Sequence, residues 1–483
     1  MIPLPQFLYA HNIRLDDFAD GDYEALYRRR RRDSNFAAAI EVGDKIHAFR
    51  DHLGIAPLYF RFTDDGVQFS NHLSDLVQSD DTLRDAGLRA LVKLGTPRLL
   101  PLFNEIHIVP PAAVIEIDPA RRSVKAIYAY SLQPREISWR RPWRDLVDEF
   151  EALMTRAIER RLRSDEVGLY LSGGIDSAMI GIILKGLGAK IRAYTSGPWG
   201  ESSSDVVYAK QNAAVIGVDS HEIHYLGTDD YESAMTALPA SYGIPHGTST
   251  ALGVIKLREN SSVGDQAQLF FGQNSDTVMA AMRGQYLSYL LNPLPIPLRR
   301  RFHPALAHRS ASEDYVHLAR NYVGNLDALA LPKMPARFTK LHEITATGMY
   351  IAQTPHDSEV YTQPSFLDGQ DIISPYHNMD VVEFAMGLPL IRRLALDDKK
   401  LPILEKHLIQ KLALRHLPRD IVYRKKAFVV SFERDERSQA LYSKLPTEIC
   451  GIALQQPHER FGAEMLLRWL KHCGFSTQDL CGK

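Results

Sequence analysis

The spacing of apolar positions changes character once along the chain. Up to about Gln133 they come as short runs broken by turn residues. Phe36 to Val42 and Ile46 to Phe49 flank Gly43-Asp44; Leu58 to Phe62 and Val67 to Ser70 flank Asp64-Asp65-Gly66. Ile106 to Val109 and Ala113 to Ile117 flank Pro110-Pro111. Runs of that length between Gly, Asp and Pro predict antiparallel strands with little helix. Gln133 to Trp143, with its Pro, Ser and Arg residues, predicts a linker.

Beyond it the period becomes helical. Leu146, Phe150, Leu153, Met154 and Ile158 predict a helix over Asp145 to Arg163. Strands over Val167 to Leu171, Ile191 to Thr195 and Ser220 to Tyr225 then alternate with helices over Ser177 to Leu187 and Asp205 to Ile216. That alternation predicts a parallel, doubly wound sheet. From Val381 onward the pattern is mostly helical, and the chain divides into residues 1–135 and 145–483.

Composition narrows the class. With 483 residues, 45% hydrophobic and 24% charged, the chain is of globular type and long enough for two or three domains. A net charge of -1 offers no basic excess for nucleic acid. No run reaches the length of a membrane span, and Met1 to Ala10 lacks a basic n-region, which predicts a soluble, cytoplasmic protein. The three cysteines, Cys450, Cys473 and Cys481, form no disulfide framework and fit a reducing compartment; no thiol precedes Cys450. The runs Arg28 to Arg32 and Arg299 to Arg301 read as solvated faces, with docking of an acidic peptide or carrier protein as the functional alternative.

The candidate chemistry lies in Val167-Gly-Leu-Tyr-Leu-Ser-Gly-Gly-Ile-Asp-Ser177. A buried strand enters Ser172-Gly173-Gly174 and a helix begins near Ser177. Paired glycines let backbone approach an anion, and a helix N-terminus presents unpaired N–H groups to it. Ser172 and Ser177 add hydroxyls. Asp176 suits such a place as a ligand of Mg²⁺ between carboxylate and phosphate. The plain alternative is an ordinary strand–turn–helix junction with an Asp cap.

On this segment the chain resembles the PP-loop ATP pyrophosphatases, and within them the asparagine synthetase-like amide ligases. Arg50-Asp-His-Leu-Gly-Ile-Ala-Pro-Leu-Tyr59 and Leu102-Phe-Asn-Glu-Ile106 resemble parts of their N-terminal glutaminase-like domain. Phe271-Gly-Gln-Asn-Ser-Asp276 resembles SGEGSDE, whose aspartate is the second Mg²⁺ ligand. Ser374-Pro-Tyr-His-Asn378 resembles VPFLD, Glu405-Lys-His-Leu408 resembles EKHI, and Leu417 to Lys426 resembles the LPxxIxxRxK part of LPxxIxxRxKxxF, with Lys426 as its lysine and Phe428 one position short of its phenylalanine. The resemblance implies an α/β PP-loop synthetase domain behind a reduced, inactive glutaminase-like (Ntn-type) antiparallel β domain. It implies ATP and Mg²⁺ as cofactors, with Asp176 and Asp276 holding the metal. Lys406 and Lys426 would neutralise charge as pyrophosphate leaves. Ser172, Gly173, Gly174, Ser177, Gly272 and Gln273 would line the nucleotide, and Tyr194, Thr195 and Ser196 would place backbone groups beside the adenine.

The chain departs from the family in two places. Ile2 stands where glutamine-dependent members have their cysteine, and the RGPD and NGEIYN segments are missing, so glutamine hydrolysis is not expected. Gln273 stands where the family has glutamate, or tyrosine in the β-lactam and carbapenam synthetases. Gly369 to Tyr376 resembles GIDIRHPF, and Ile421 to Lys426 resembles IVWRKK, of the carbapenam synthetases. Counting back from Asp371 without gaps puts Glu359 on the acidic member of their Tyr–Glu dyad, without a phenol partner. Glu359 would take the proton of an attacking amine, with His356 and His377 as alternative bases.

The resemblance implies amide-bond formation through an acyl-adenylate, with an organic amine as nucleophile, in specialised-metabolite or antibiotic biosynthesis. Substrates would be a small-molecule or peptide carboxylate and amine, with a precursor peptide or pathway enzyme as partner and neither nucleic acid nor membrane. Macrolactam closure, as in lasso peptide cyclases, is the nearest alternative. Ammonia-dependent asparagine synthesis is disfavoured by Gln273. A non-catalytic ATP-binding scaffold is the reading from another class, and it has no need of SGGIDS, Asp276 and Lys426 together.

Overall fold

The computed structural model describes residues 7–13, 22–30, 35–94, 100–130, 132–198, 203–248, 250–279, 354–389, 392, 395–396, 403–404, 406–424 and 436–476. The N-terminal region builds two antiparallel sheets. One runs β1 (Phe7–His11), β2 (Ala37–Val42), β3 (Lys45–Arg50), β7 (Ala113–Asp118) and β8 (Ser123–Ala129) in that spatial order. The other is β4 (Tyr59–Thr63) between β5 (Gly66–Ser70) and β6 (Ile106–Ile108). Ala37, Ala39, Ala48 and Ile115 of the first sheet pack with Phe60 of the second and with Leu58 just before its strand β4. The opposite face, with Ala38, Ile40, Phe49 and Val114, joins a core that continues into the C-terminal region.

Two helices occur where the pattern predicted little helix: α1 (Tyr23–Arg30) and α2 (Asp85–Leu94). In α1 only the adjacent Leu26 and Tyr27 are buried, so no apolar stripe marks it in sequence. Arg28 and Arg29 are exposed on it, and Arg28 pairs with Glu24, a solvated face. The predicted linker has no regular structure, yet it is tied down. Gln133 N–H donates to Glu383 Oε1 at 2.7 Å, and Ile137 N–H donates to the Gly387 carbonyl at 2.9 Å.

The C-terminal region is the expected parallel sheet. Its strands are β9 (Glu166–Tyr170), β10 (Lys190–Pro198), β11 (Ser220–Leu226), β12 (Gln268–Phe270) and β13 (Asp371–Ile373). They lie in the order β11-β10-β9-β12-β13, every pairing parallel. In-register pairing of Val167 with Ile191 and Leu169 with Ala193 sends those side chains to one face. There they meet α3 (Trp143–Glu159), α4 (Ile175–Gly186) and α5 (Ser204–Ile216). Tyr170 and Tyr194 point to the other face, towards Val254 and Leu257 of α7 (Thr250–Asn260). Helices on both faces make the sheet doubly wound.

Further helices are α6 (Thr228–Ser241), α8 (Ser275–Val278), α9 (Thr354–Leu367), α10 (Met379–Gly387), α11 (His407–Ala413), α12 (Arg419–Val422), α13 (Glu436–Lys444) and α14 (Pro457–His472). Cys450 is disulfide-bonded, while Cys473 is free. That bond departs from the expectation of reduced thiols, because a cysteine count carries no distances. Among the described residues no helix is long and apolar enough to cross a membrane.

Candidate functional site

Chain order reverses beside β9: β10 and β11 lie on one side of it, β12 and β13 on the other. Such a switch point opens a crevice at the carboxyl ends of the strands. The loops leaving β9 and β12 meet there. After β9, Ser172 Oγ accepts from Gly174 N–H and shares a hydrogen bond with Ser177 Oγ, both at 3.1 Å. The loop turns on bare backbone at Gly173, where a Cβ would lie 2.8 Å from the Asp205 carbonyl and 3.0 Å from Arg424 Nη2. Gly174 caps α4, whose first turn carries Asp176. After β12, a Cβ on Gly272 would lie 2.9 Å from the backbone nitrogen of Ser177, so glycine lets the two loops touch. Asn274, at φ 78°, then starts the short helix α8 that carries Asp276, and its amide donates to the Tyr376 carbonyl at 3.0 Å.

Lys406 closes the cluster from the C-terminal half. Its ammonium lies 2.6 Å from Asp176 Oδ2, 2.7 Å from Asp276 Oδ1 and 2.9 Å from Ser275 Oγ. Burial opposes its charge, yet Asp176 and Asp276 outweigh that and hold its pKa above the ordinary lysine value. Behind Asp176, Tyr376 donates to its carbonyl at 3.2 Å. Burial, with Asp176 and Asp276 adding to it, lifts the Tyr376 phenol well above its usual range and keeps it a donor.

The residues fit Mg²⁺ in donor chemistry. Asp176 Oδ1 is buried without a hydrogen-bond partner, an oxygen of the type this hard cation takes. Among the described residues no group of three or more His, Cys, Asp and Glu side chains is placed to hold a metal. A Mg²⁺ ion at this place would take Asp176 and Asp276 from the protein, and phosphate or water oxygens would complete its shell.

Other expected residues fall less directly. The Thr195 hydroxyl donates to the Leu171 carbonyl at 2.6 Å and lies 2.8 Å from His221 Nε2. The Tyr194 hydroxyl meets Ser262 Oγ at 2.9 Å. Both side chains are engaged in the fold, and the Tyr194 carbonyl accepts from Leu171 N–H at 2.9 Å. Ser196 lies against Gly253, where a Cβ would come within 2.7 Å of its hydroxyl. Gln273 accepts a hydrogen bond from Ser374 through its backbone carbonyl, at 2.8 Å.

Glu359 is buried on α9, beside Ser358. The Ser358 hydroxyl meets His377 Nε2 at 3.1 Å, and the His377 ring packs edge-on to Phe271, centroids 5.5 Å apart. These contacts tie α9 to the loop after β12. Burial, with Arg161 adding to it, pushes the His377 pKa down to about 3, so it accepts protons poorly near neutrality. Lys426 and the side chain of His356 lie outside the described residues.

The sequence reading passed over Arg424. Its Nη2 donates to Asp205 Oδ1 at 2.9 Å and its guanidinium stacks on Tyr208, 4.7 Å from the ring centroid. Nη2 is also its atom nearest Gly173, while Nη1 is buried without a partner, a donor available to an anion at the glycine loop. The signal was present: Arg424 is the arginine of the motif from which only Lys426 was taken.

The family model for asparagine synthase matches residues 149–445. Two glutamine-hydrolyzing asparagine synthetases of Bacillus subtilis (strain 168) are similar. Number 1 is 26% identical over 180 residues, covering 36% of this chain and 28% of its own length. Number 2 is 26% identical over 207 residues, covering 39% and 27%. The chain thus spans little more than a quarter of the curated relatives it matches. Among solved structures, an NH3-dependent NAD synthetase from Campylobacter jejuni is 16% identical, covering 39% of this chain and 88% of that one, with a TM-score of 0.22. An NMN synthetase from Francisella tularensis is 14% identical, covering 54% and 100%, also at 0.22. At those scores the likenesses carry no argument.

Proposed function

As this chain belongs to the asparagine synthase family, we propose that it is an ATP-dependent amide ligase that activates a carboxylate as its adenylate and passes the acyl group to an organic amine. The observation that carries the reading is the meeting of Asp176, Asp276 and Lys406 at the switch point of the sheet. Two carboxylates at the mouth of a glycine loop suit a divalent cation, which would offset the charge of departing pyrophosphate.

In this reading the amides of the glycine loop and the α4 N-terminus hold phosphate oxygens, helped by Arg424 Nη1. Mg²⁺ held by Asp176 and Asp276 would neutralise the leaving pyrophosphate. Lys426 supports the charge that develops at the acyl carbon, and Glu359 takes a proton from the amine. No cysteine precedes Cys450, so these residues contain no thiol positioned early in the chain to free ammonia from glutamine. Gln273 in place of the family's acidic or phenolic residue separates the acceptor side from that of asparagine synthetases.

The test is pyrophosphate release from ATP and Mg²⁺ with a panel of carboxylates, using hydroxylamine as the surrogate amine. Carboxylate-dependent pyrophosphate with hydroxamate formation, unstimulated by glutamine, is the expected result. ATP binding without turnover across the panel, or glutamate release from glutamine, counts against it.

A further inference from the structure

An ammonium carries three hydrogens and accepts nothing. Lys406 Nζ meets three acceptors, Asp176 Oδ2, Asp276 Oδ1 and Ser275 Oγ, at 2.6, 2.7 and 2.9 Å. Its donors are saturated and none is left for a phosphate. A divalent cation held by Asp176 and Asp276 would compete with that ammonium for the charge of the two carboxylates. Phosphate neutralisation by the lysine therefore requires the ammonium to leave its present position, and metal binding by the aspartates would compete with it there.

We propose that Lys406 and the divalent cation exchange partners: the cation takes the two aspartates only as the ammonium passes to the triphosphate. Cation and nucleotide then bind as a coupled pair, and the cation alone is opposed by the lysine. The inference rests on the nucleotide and Mg²⁺ reading above. Three features support it. Lys406 is only 8% exposed, so water is a poor substitute partner when it leaves the carboxylates. Asp176 Oδ1 has no partner in the fold, so the aspartate keeps an oxygen for the incoming ion while Oδ2 still holds the lysine. Lys406 also sits at φ 57°, a left-handed conformation unusual for lysine, just before α11. Strain of that kind is held by its surroundings and is a common mark of residues that change partners.

Mn²⁺, followed by electron paramagnetic resonance, is the probe. Without nucleotide, Lys406→Met should bind Mn²⁺ at least about tenfold more tightly than wild type, because an ammonium no longer competes with the ion. Adding α,β-methylene-ATP should tighten Mn²⁺ binding more in wild type than in the variant, since only wild type gains a lysine–phosphate contact in the exchange. Asp176→Asn on the Lys406→Met background should erase the gain. Lys406→Gln repeats the measurement if the methionine variant does not fold. Equal Mn²⁺ affinity in wild type and variant without nucleotide, or a gain that survives Asp176→Asn, overturns the exchange while leaving the metal reading intact. Absence of Mn²⁺ binding in wild type even with the analogue overturns the metal reading, and the exchange with it.

Discussion

The crevice between β9 and β12 and the flank formed by α9 use opposite physics. At the crevice, full charges face one another within 2.9 Å around Lys406, on loops and first helical turns. On α9, neutral hydrogen bonds do the joining: Ser358 to His377 on one side, and Gln363 Oε1 to His72 Nδ1, at 3.2 Å, on the other. Helical spacing puts Glu359, Gln363 and Phe366 on one face, and Phe366 packs edge-on to His11 at 4.8 Å. Glu359 thus lies on the face of α9 that meets the N-terminal region. In the proposed reaction the first place would handle phosphates, and the second would set where an acceptor can sit. The difference suggests that the two half-reactions can be damaged separately.

The widest gap should come from Asp176 and Asp276. Asp176→Asn and Asp276→Asn should each lower pyrophosphate release by about 10²–10³-fold, the scale of removing one transition-state charge contact, with circular dichroism unchanged. Either variant retaining near wild-type release would erase the distinction at its strong end. Glu359→Gln should leave adenylation intact and slow amide formation by about 10²-fold, with more acyl-adenylate trapped by hydroxylamine. Normal amide formation would return Glu359 to a structural role.

The crevice was the legible part of the molecule. SGGIDS and the segment ending at Asp276 are local, because backbone that cradles an anion needs glycine and a helix start within a few residues. The parallel sheet was legible for a similar reason, since its strands and helices alternate in period. What escaped depends on contacts between distant segments. Nothing local says that Lys406 lies between Asp176 and Asp276, that Arg424 faces Gly173, or that Tyr376 stands behind Asp176. The helix α1 escaped because two adjacent buried residues make no stripe, and nothing local says that Glu383 accepts from Gln133, 250 residues away.

Smaller effects sharpen the contrast further. Gly272→Ala forces a Cβ to within 2.9 Å of the Ser177 nitrogen, and should lower stability by about 1–3 kcal/mol in denaturant melts. Pyrophosphate release should fall with it, because the displaced backbone carries Asp176. Gln363→Ala should cost about 1 kcal/mol and reduce amide formation more than adenylation; an equal reduction of both would dissolve the separation. His377 gives the mildest test. Its folded pKa of about 3 lies below the ordinary 6.5, so the unfolded chain binds a proton that the folded one refuses. Its effect is absent above about pH 6.5, and stability is lost as pH falls from there towards 3, by at most about 1.4 kcal/mol per pH unit. His377→Gln should flatten that part of the melting temperature profile relative to wild type.

The contact between His72 and Gln363 also has a meaning in time. The two residues are 291 positions apart. At roughly 5–20 residues per second, a ribosome needs roughly 15–60 s to pass from one to the other. Through that interval the early sheets can close their own core around Ala39, Phe60 and Ile115. The surface that later receives α9, with His11 and His72 on it, must wait uncovered. The fold therefore asks for a long-lived, half-dressed intermediate during synthesis, one that a chaperone would have reason to shield.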